Sequence, residues 1–343
     1  MADDIKSLYI EEIEGMLKEM GEPKFRAKQI FSWLHAKKAK TFDEMTNLSK
    51  PLREKLGEKF KISNVKILEK LVSSDGTTKY LFSLDDGNVI ESVLMRYSYG
   101  NAVCVSTQVG CRMGCGFCAS TLNGLERNLE AGEILSQIYE ISRDIDERIS
   151  SVVLMGSGEP LDNYDNVIRF IRLLNSRDGA DIGQRHITLS TCGLAEKIDK
   201  LRGEGLQITL AISLHAPNDE IRGKTMPVSR KYDMETLLSA CRRYSEETKR
   251  RITFEYALIR GVNDSAACAK ELASKLKGML CHVNLIPVND VKEREYVHSS
   301  EEQIKSFASI LMGRGIETTV RRKLGSDINA ACGQLRRSYI SKQ

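Results

Sequence analysis

No run of about eighteen apolar residues occurs anywhere in the chain, so a membrane-spanning helix is not expected. The opening residues Met1-Ala2-Asp3-Asp4 are acidic and lack the basic-then-apolar order of a secretory leader. A cytoplasmic location is therefore expected, where structural disulfides are rare. Neither an internal repeat nor a low-complexity segment is present. Excess charge is also scarce: the net value is +4, which by itself names no partner. What the chain does have is nine cysteines. An odd number in a reducing compartment points to metal binding, catalysis or plain burial.

The 343 residues suffice for two domains, or for one barrel-sized domain with an appendage. Hydrophobic residues at 41% and charged residues at 29% are ordinary for a globular chain. The positive charge is clustered. One cluster is Ala36-Lys37-Lys38-Ala39-Lys40, and a second joins Arg242-Arg243 to Lys249-Arg250-Arg251. A third runs from Arg314 to the C-terminus, with seven Lys/Arg against two acids. Each cluster alone reads as a solvated helix face. Together they make a polyanionic partner plausible.

Residues 1–62 read as a small helical domain. Ile10, Ile13, Met16 and Leu17 share one helical face, and Ile30, Phe31 and Leu34 another. Pro23 separates these segments and Pro51 opens a third. A short β linker region, 63–96, follows, with Asp75-Gly76 and Asp85-Asp86-Gly87 as hairpin turns. From 97 to 330, short Val/Ile/Leu-rich runs alternate with helical segments. Strands are expected at 102–106, 151–155, 186–191, 208–213, 252–258, 282–287 and 316–321. Helices are expected at 129–148, 164–175, 194–202, 234–247, 264–277 and 301–313. Six successive βα pairs predict an α/β fold with a parallel sheet, too short for a closed eight-fold barrel. An open partial (β/α)6 barrel is expected, with a doubly wound sheet as the alternative. Residues 331–343 form a segment beyond this core.

The strongest motif is Cys111-Arg112-Met113-Gly114-Cys115-Gly116-Phe117-Cys118, in a glycine-bearing loop after the first core strand. Three thiolates can hold three irons of a [4Fe–4S] cluster and leave the fourth open. A structural zinc site would want a fourth protein ligand, and no Cys or His lies close downstream. Polar motifs recur after the other strands: Gly156-Ser157-Gly158-Glu159-Pro160, Ser190-Thr191-Cys192-Gly193, Ser213-Leu214-His215 and Pro287-Val288-Asn289. Singly these pass as turns or caps. Collected on the C-terminal rim of a barrel, they read as a site.

The C-x3-C-x2-C spacing, with an aromatic residue before the last cysteine, resembles the signature of the radical S-adenosylmethionine (SAM) superfamily. That resemblance implies a partial (β/α)6 barrel whose cluster is held by Cys111, Cys115 and Cys118. SAM would sit on the open iron, with Gly158, Glu159, Ser190, Ser213, Leu214, His215 and Asn289 around it. A narrower resemblance runs from about Phe25 to Tyr339. Gln108-Val109-Gly110-Cys111, Met155 to Leu161, Ser213-Leu214-His215-Ala216, Asn284 to Asn289 and Ala330-Ala331-Cys332-Gly333-Gln334-Leu335 are similar to the RlmN/Cfr family of RNA adenine methyltransferases. Pro160 after Glu159 looks like RlmN, whereas Cfr sequences carry Ala. Ser157, where RlmN usually has Met or Gly, is a small departure.

This family resemblance implies methylation of C2 of an adenosine in 23S rRNA and of the adenosine 3′ to the anticodon in some tRNAs. An aromatic C2 offers no nucleophilic lone pair, so direct methyl transfer is unsuited to it. The implied route uses two SAM per turnover. The first methylates Cys332, and the second yields a 5′-deoxyadenosyl radical that removes hydrogen from the S-methyl group. The methylene radical adds to the ring, a base matching Glu91 takes the C2 proton, and Cys104 attacks the Cys332 sulfur. A transient Cys104–Cys332 disulfide then remains to be reduced.

Read without the family, Cys332 passes as a buried cysteine, Cys104 as core packing, Glu91 as a surface carboxylate and His215 as a strand-end cap. The other cysteines, Cys192, Cys241, Cys268 and Cys281, read as packing residues. The implied partners are 23S rRNA, tRNA and an electron donor such as flavodoxin or ferredoxin, with a monomeric, membrane-free enzyme. Arg321-Arg322-Lys323 and Arg336-Arg337 would place phosphates near Cys332. The alternatives are a Cfr-type C8 methyltransferase and a non-catalytic iron–sulfur RNA-binding module.

Overall fold

The computed structural model describes residues 3–288, 296–322, 324–330 and 334. Asn289, Lys323, Cys332, Arg336 and Arg337 lie outside the described residues. A single ten-stranded sheet organises the molecule. Its strands are β1 (Lys66–Val72), β2 (Thr78–Ser83), β3 (Val89–Tyr97), β4 (Gly100–Cys104), β5 (Ile149–Leu154), β6 (Ile187–Thr191), β7 (Thr209–Ser213), β8 (Ile252–Leu258), β9 (Cys281–Pro287) and β10 (Thr318–Val320). They lie in chain order across the sheet. From β4 to β10 every pairing is parallel. The edges β1 and β10 do not pair with each other, so the barrel is open.

Among the described residues ten α-helices accompany the sheet: α1 (Ile10–Glu19), α2 (Arg26–His35), α3 (Lys50–Lys59), α4 (Ala131–Ile145), α5 (Tyr164–Asn175), α6 (Ala195–Arg202), α7 (Asp219–Thr225), α8 (Met234–Thr248), α9 (Ala266–Leu276) and α10 (Glu301–Met312). Six βα units therefore run from β4 to α10, the partial barrel that the alternation predicts. The core strands turn an apolar face to the covering helices, while polar residues such as Ser190, Ser213 and Glu255 face the barrel interior. In α5, Val167, Ile168, Ile171 and Leu174 recur at helical spacing, and all are buried. Helix starts are fixed by side-chain caps: Asp233 accepts from Thr236 N at 2.8 Å and Ser300 from Gln303 N at 3.2 Å. No helix among the described residues is long and apolar enough to cross a membrane.

The three antiparallel strands β1 to β3 extend the barrel sheet itself. Val93 of β3 pairs with Cys104 of β4, and Leu81 of β2 with Glu91. The β region predicted as a linker is thus continuous with the core. The N-terminal helices are anchored just as closely. Lys6, 2% exposed, donates from Nζ to the Ser63 carbonyl and to the Ser136 hydroxyl on α4. Burial lowers its pKa to about 8. Arg169 on α5 donates to the Ser7 carbonyl at 3.0 Å. At Gly132 a Cβ would meet Asp4 Oδ2 at 1.9 Å, so glycine permits the close approach of α4 to the N-terminal segment.

Two of the basic clusters turn out to be internally paired. Arg243 grips Asp199 through two bonds, and Arg251 meets Glu317 at 2.6 Å. Lys40 pairs with Glu140, Lys38 bonds the Ser142 hydroxyl, and Lys37 sits 3.7 Å above the Trp33 ring centroid.

Candidate active site

The cysteine loop leaves β4 and is closed at its stem. Gln108–Gly110 pairs antiparallel with Leu125–Asn128, and Cys111 N donates to Gly124 O at 2.9 Å. Gly110 takes φ +77°, and a Cβ there would lie 2.0 Å from Gly124 O. The loop is pinned again where Gly116 N meets Thr225 O at 2.7 Å. The Thr121 hydroxyl donates to the carbonyls of Cys115 and Cys118. These bonds turn Cys111, Cys115 and Cys118 into one cavity of about 980 Å³, counting its open mouth.

That cavity lies at the C-terminal ends of the parallel strands, where such barrels place their chemistry. Gly156 and Gly158 cross tightly over the stem of the cysteine loop. A Cβ on Gly156 would meet Val105 O at 2.6 Å, and Gly158 adopts φ +110° with Gln108 2.7 Å away. Gly156→Ala is expected to cost about 1–3 kcal/mol through overpacking, seen as a lowered urea midpoint, and to weaken SAM cleavage alongside. An unchanged midpoint would show that the crossing has slack.

Glu159 is 3% exposed. Its carboxylate accepts from Leu161 N at 2.9 Å and Cys192 N at 2.7 Å, bracing the end of β5 against β6. Burial pushes its pKa up, against the pull of those bonds. The Ser190 and Ser213 hydroxyls are 3.5 Å apart on neighbouring strand ends, and both residues line the cavity. His215 lines it too, with φ 56°. Its Nδ1 accepts from Ala257 N at 2.9 Å, leaving the proton on Nε2. Burial takes its pKa down to about 3, so the ring is neutral. Phe117 of the cysteine loop meets the ring edge-on at 4.9 Å. Leu214 differs: its side chain is buried in the main core, outside the cavity lining. Only its backbone can serve a ligand.

Glu91 and Cys104 are brought together by strand register. Val93 pairs with Cys104, and Glu91 lies two residues from Val93, so both side chains share one sheet face. Glu91 is 2% exposed and pairs with Lys79 of β2 at 3.6 Å. Breaking such a buried pair from one side costs about 3–5 kcal/mol. Cys104 packs with Val93, Met95, Ala102 and Ala330 in a small cluster separate from the main core. Ala330 stands two residues before Cys332 in the chain. No disulfide joins two of the described cysteines.

The donor set suits an iron–sulfur cluster. Cys111 and Cys115 are 6% and 9% exposed, and burial pushes the Cys111 thiol up to about 12 and Cys115 up as well. Thiolates so placed need a cationic centre between them. Among the described residues no three Cys, His, Asp or Glu side chains converge on a single-ion site.

Comparison with known proteins agrees. Residues 105–269 match the family model described as Radical SAM superfamily. Residues 4–62 match the one described as Ribosomal RNA large subunit methyltransferase N-terminal domain. A protein of Alkaliphilus oremlandii named "Probable dual-specificity RNA methyltransferase RlmN" is 60% identical over 338 residues, 98% of each chain. The chain belongs to the RlmN family of radical SAM methyltransferases. A second relative so named, from Lachnoclostridium phytofermentans, is 57% identical across 99% of this chain and 96% of its own. The crystal structure of a radical SAM methyltransferase from Sphaerobacter thermophilus superimposes with a TM-score of 0.94. It is 46% identical and covers 98% of this chain and 100% of that one. Membership in the RlmN family implies a [4Fe–4S] cluster and SAM.

The RlmN site holds residues that sequence reasoning passed over. Arg222 is 0% exposed and donates to the carbonyls of Cys192 at 2.6 Å and Leu214 at 3.3 Å, tying the ends of β6 and β7. Cys192, read as packing, lines the cavity and supplies the N–H that Glu159 accepts. Glu255 also faces the cavity, bonded by Asn284 Nδ2 at 2.9 Å. A carboxylate amid the apolar run Ile252–Leu258 was the signal for it. Gln108 holds Asp162 and Asn128 through Nε2 and receives Glu159 N on Oε1.

Proposed function

We propose that this chain methylates C2 of a specific adenosine in 23S rRNA and of the adenosine 3′ to the anticodon in tRNAs. The observation that carries the reading is the wall formed by Glu91, Cys104 and Ala330. It sets a buried carboxylate and a thiol beside the chain that leads to Cys332. The names of the relatives, dual-specificity RNA methyltransferases, support the two classes of RNA.

Cys111, Cys115 and Cys118 would hold the cluster, and Gly158, Glu159, Ser190, Ser213, His215, the Leu214 backbone and Asn289 would serve SAM. When bound, the cluster supplies the electron that splits SAM and yields a 5′-deoxyadenosyl radical. Two SAM are consumed per turnover. The Cys332 thiolate accepts a methyl group by displacement at carbon. Its carbon becomes the bridge between sulfur and the adenine ring. Glu91 accepts the C2 proton, for which its ionised form is required. Cys104 attacks the Cys332 sulfur, which frees the RNA and leaves a Cys104–Cys332 disulfide to be reduced.

The helical unit 1–62 helps hold the RNA, the barrel of 97–330 holds SAM, and 331–343 carries Cys332. The target base is unstacked into the barrel mouth. A flavodoxin- or ferredoxin-class donor, a cytoplasmic location and a monomeric state complete the reading. Nucleoside digests of treated 23S rRNA and tRNA are expected to contain 2-methyladenosine and no 8-methyladenosine. Dominant 8-methyladenosine would reassign the position. Cys332→Ala should still assemble the cluster yet yield no methyladenosine; any RNA methylation by it would remove the relay.

A further inference from the structure

The β1–β2 hairpin, Ser73 to Lys79, contacts the stretch of chain just before Cys332 through Ser73, Ser74, Asp75, Thr77 and Lys79. The Ser73 hydroxyl donates to Asp327 Oδ1 at 2.5 Å, and Ser74 N to Asp327 Oδ2 at 3.2 Å. Asp75 accepts from Gly325 N at 2.9 Å. Gly325 adopts φ +62°, and a Cβ there would strike Thr77 at 2.9 Å and Ala330 at 2.8 Å. Farther along β2, Lys79 Nζ donates to Asn329 O at 3.3 Å while facing Glu91 Oε1 at 3.6 Å. Lys79, Val93 and Cys104 form one cross-strand row, since Lys79 pairs with Val93 and Val93 with Cys104.

We propose that this hairpin is the dock for residues 325–330, the stretch that leads into Cys332, and that Lys79 is a positioning residue tying that stretch to Glu91. The inference rests on the reading of Cys332 as methyl carrier and Glu91 as base, and adds what sets the distance between them. The polar bonds from Ser73, Ser74 and Asp75 fix residues 325–327 at the sheet edge. The Asp75 carboxylate is committed to this, since the N–H groups of Gly325 and Thr77 hold its pKa down to about 2. Lys79 then fixes the backbone three residues before Cys332. A single ammonium shared by the Asn329 carbonyl and the Glu91 carboxylate holds the two at a set separation. Neither contact touches the SAM cavity, whose lining includes none of the hairpin residues.

The dock acts on coupling, so the test reads coupling. The full-length reconstituted enzyme is given SAM, dithionite and 23S rRNA, and methyladenosine formed per 5′-deoxyadenosine released is measured. Lys79→Met and, separately, Asp327→Ala are expected to lower that ratio by about tenfold to a hundredfold, as misplacement of reacting groups by an ångström does. SAM cleavage without RNA should remain at the wild-type rate in both. Lys79→Arg, which keeps a cation able to bridge the two oxygens, should restore most of the ratio, a rescue that a purely structural lysine would not need. Asp327 lies on the surface, so if Lys79→Met does not fold, Asp327→Ala decides by the same ratio. Wild-type coupling in Asp327→Ala overturns the dock, including when the loss is confined to Lys79. Methylation by a parallel Cys332→Ala sample would instead overturn the relay on which the dock depends.

Discussion

Cys104→Ala is expected to trap RNA covalently on the protein. Cys104 ends β4 with 6% exposure, opposite Val93 and beside Ala330. As mere packing, its loss would cost about 1–2 kcal/mol and leave turnover intact. As the resolving thiol, its loss blocks one step only. The Cys332 sulfur can still be methylated and its carbon can still join the adenine ring. What fails is attack on that sulfur, for which an alanine methyl has no substitute. The variant should accumulate RNA joined through one carbon to Cys332. The species should survive denaturing gels and shrink, after nuclease digestion, to protein with a residual nucleotide mass. Adding Cys332→Ala in the same chain should abolish it. Normal turnover without a crosslinked band would return Cys104 to the core and remove the disulfide from the mechanism.

Removing any one of Cys111, Cys115 and Cys118 is expected to abolish SAM cleavage altogether. Anaerobically reconstituted wild-type protein should be brown and hold about four irons per chain. Each alanine variant should lose the colour or the bound iron, and release no 5′-deoxyadenosine with dithionite. The loop should remain folded, because it is held by the backbone bonds of Cys111 to Gly124 and Gly116 to Thr225. A preserved melting transition with absent cleavage therefore separates loss of chemistry from loss of fold. A colourless zinc form that still cleaved SAM would end the cluster assignment.

The barrel was legible because its signals are local. Apolar periodicity gave the βα alternation, and the strand and helix limits fall within a few residues of those expected. The cysteine spacing and the polar motifs at strand ends were equally plain. Glu91 was not, because its environment is assembled from afar. Read alone, its strand looks like a two-faced hairpin with a surface carboxylate. In the molecule Ser92 bonds Gln137 of α4 on one face, while Lys79 covers Glu91 on the other. The partners of Arg243 and Arg251 lie at Asp199 and Glu317, too distant in sequence for the charge clusters to show themselves as paired. Leu214 is a different lesson. Ser213 ends its strand facing the cavity, Leu214 is buried in the core, and the left-handed backbone of His215 returns the ring to the cavity. A left-handed residue just past a strand end is not visible in the apolar alternation.

The anchoring of Lys6 also has a consequence in time. Its amine waits for the Ser63 carbonyl, 57 residues on, and for the Ser136 hydroxyl, 130 residues on. The Ser7 carbonyl waits longer still, for Arg169. At a synthesis rate of roughly 5–20 residues per second, these partners emerge on the order of ten seconds after Lys6. Until then the ammonium must stay in water, since burying it unpaired is too costly. The native places of Lys6 and Ser7 therefore wait on residues of α4 and α5, and the helical unit is completed only by the barrel that follows it.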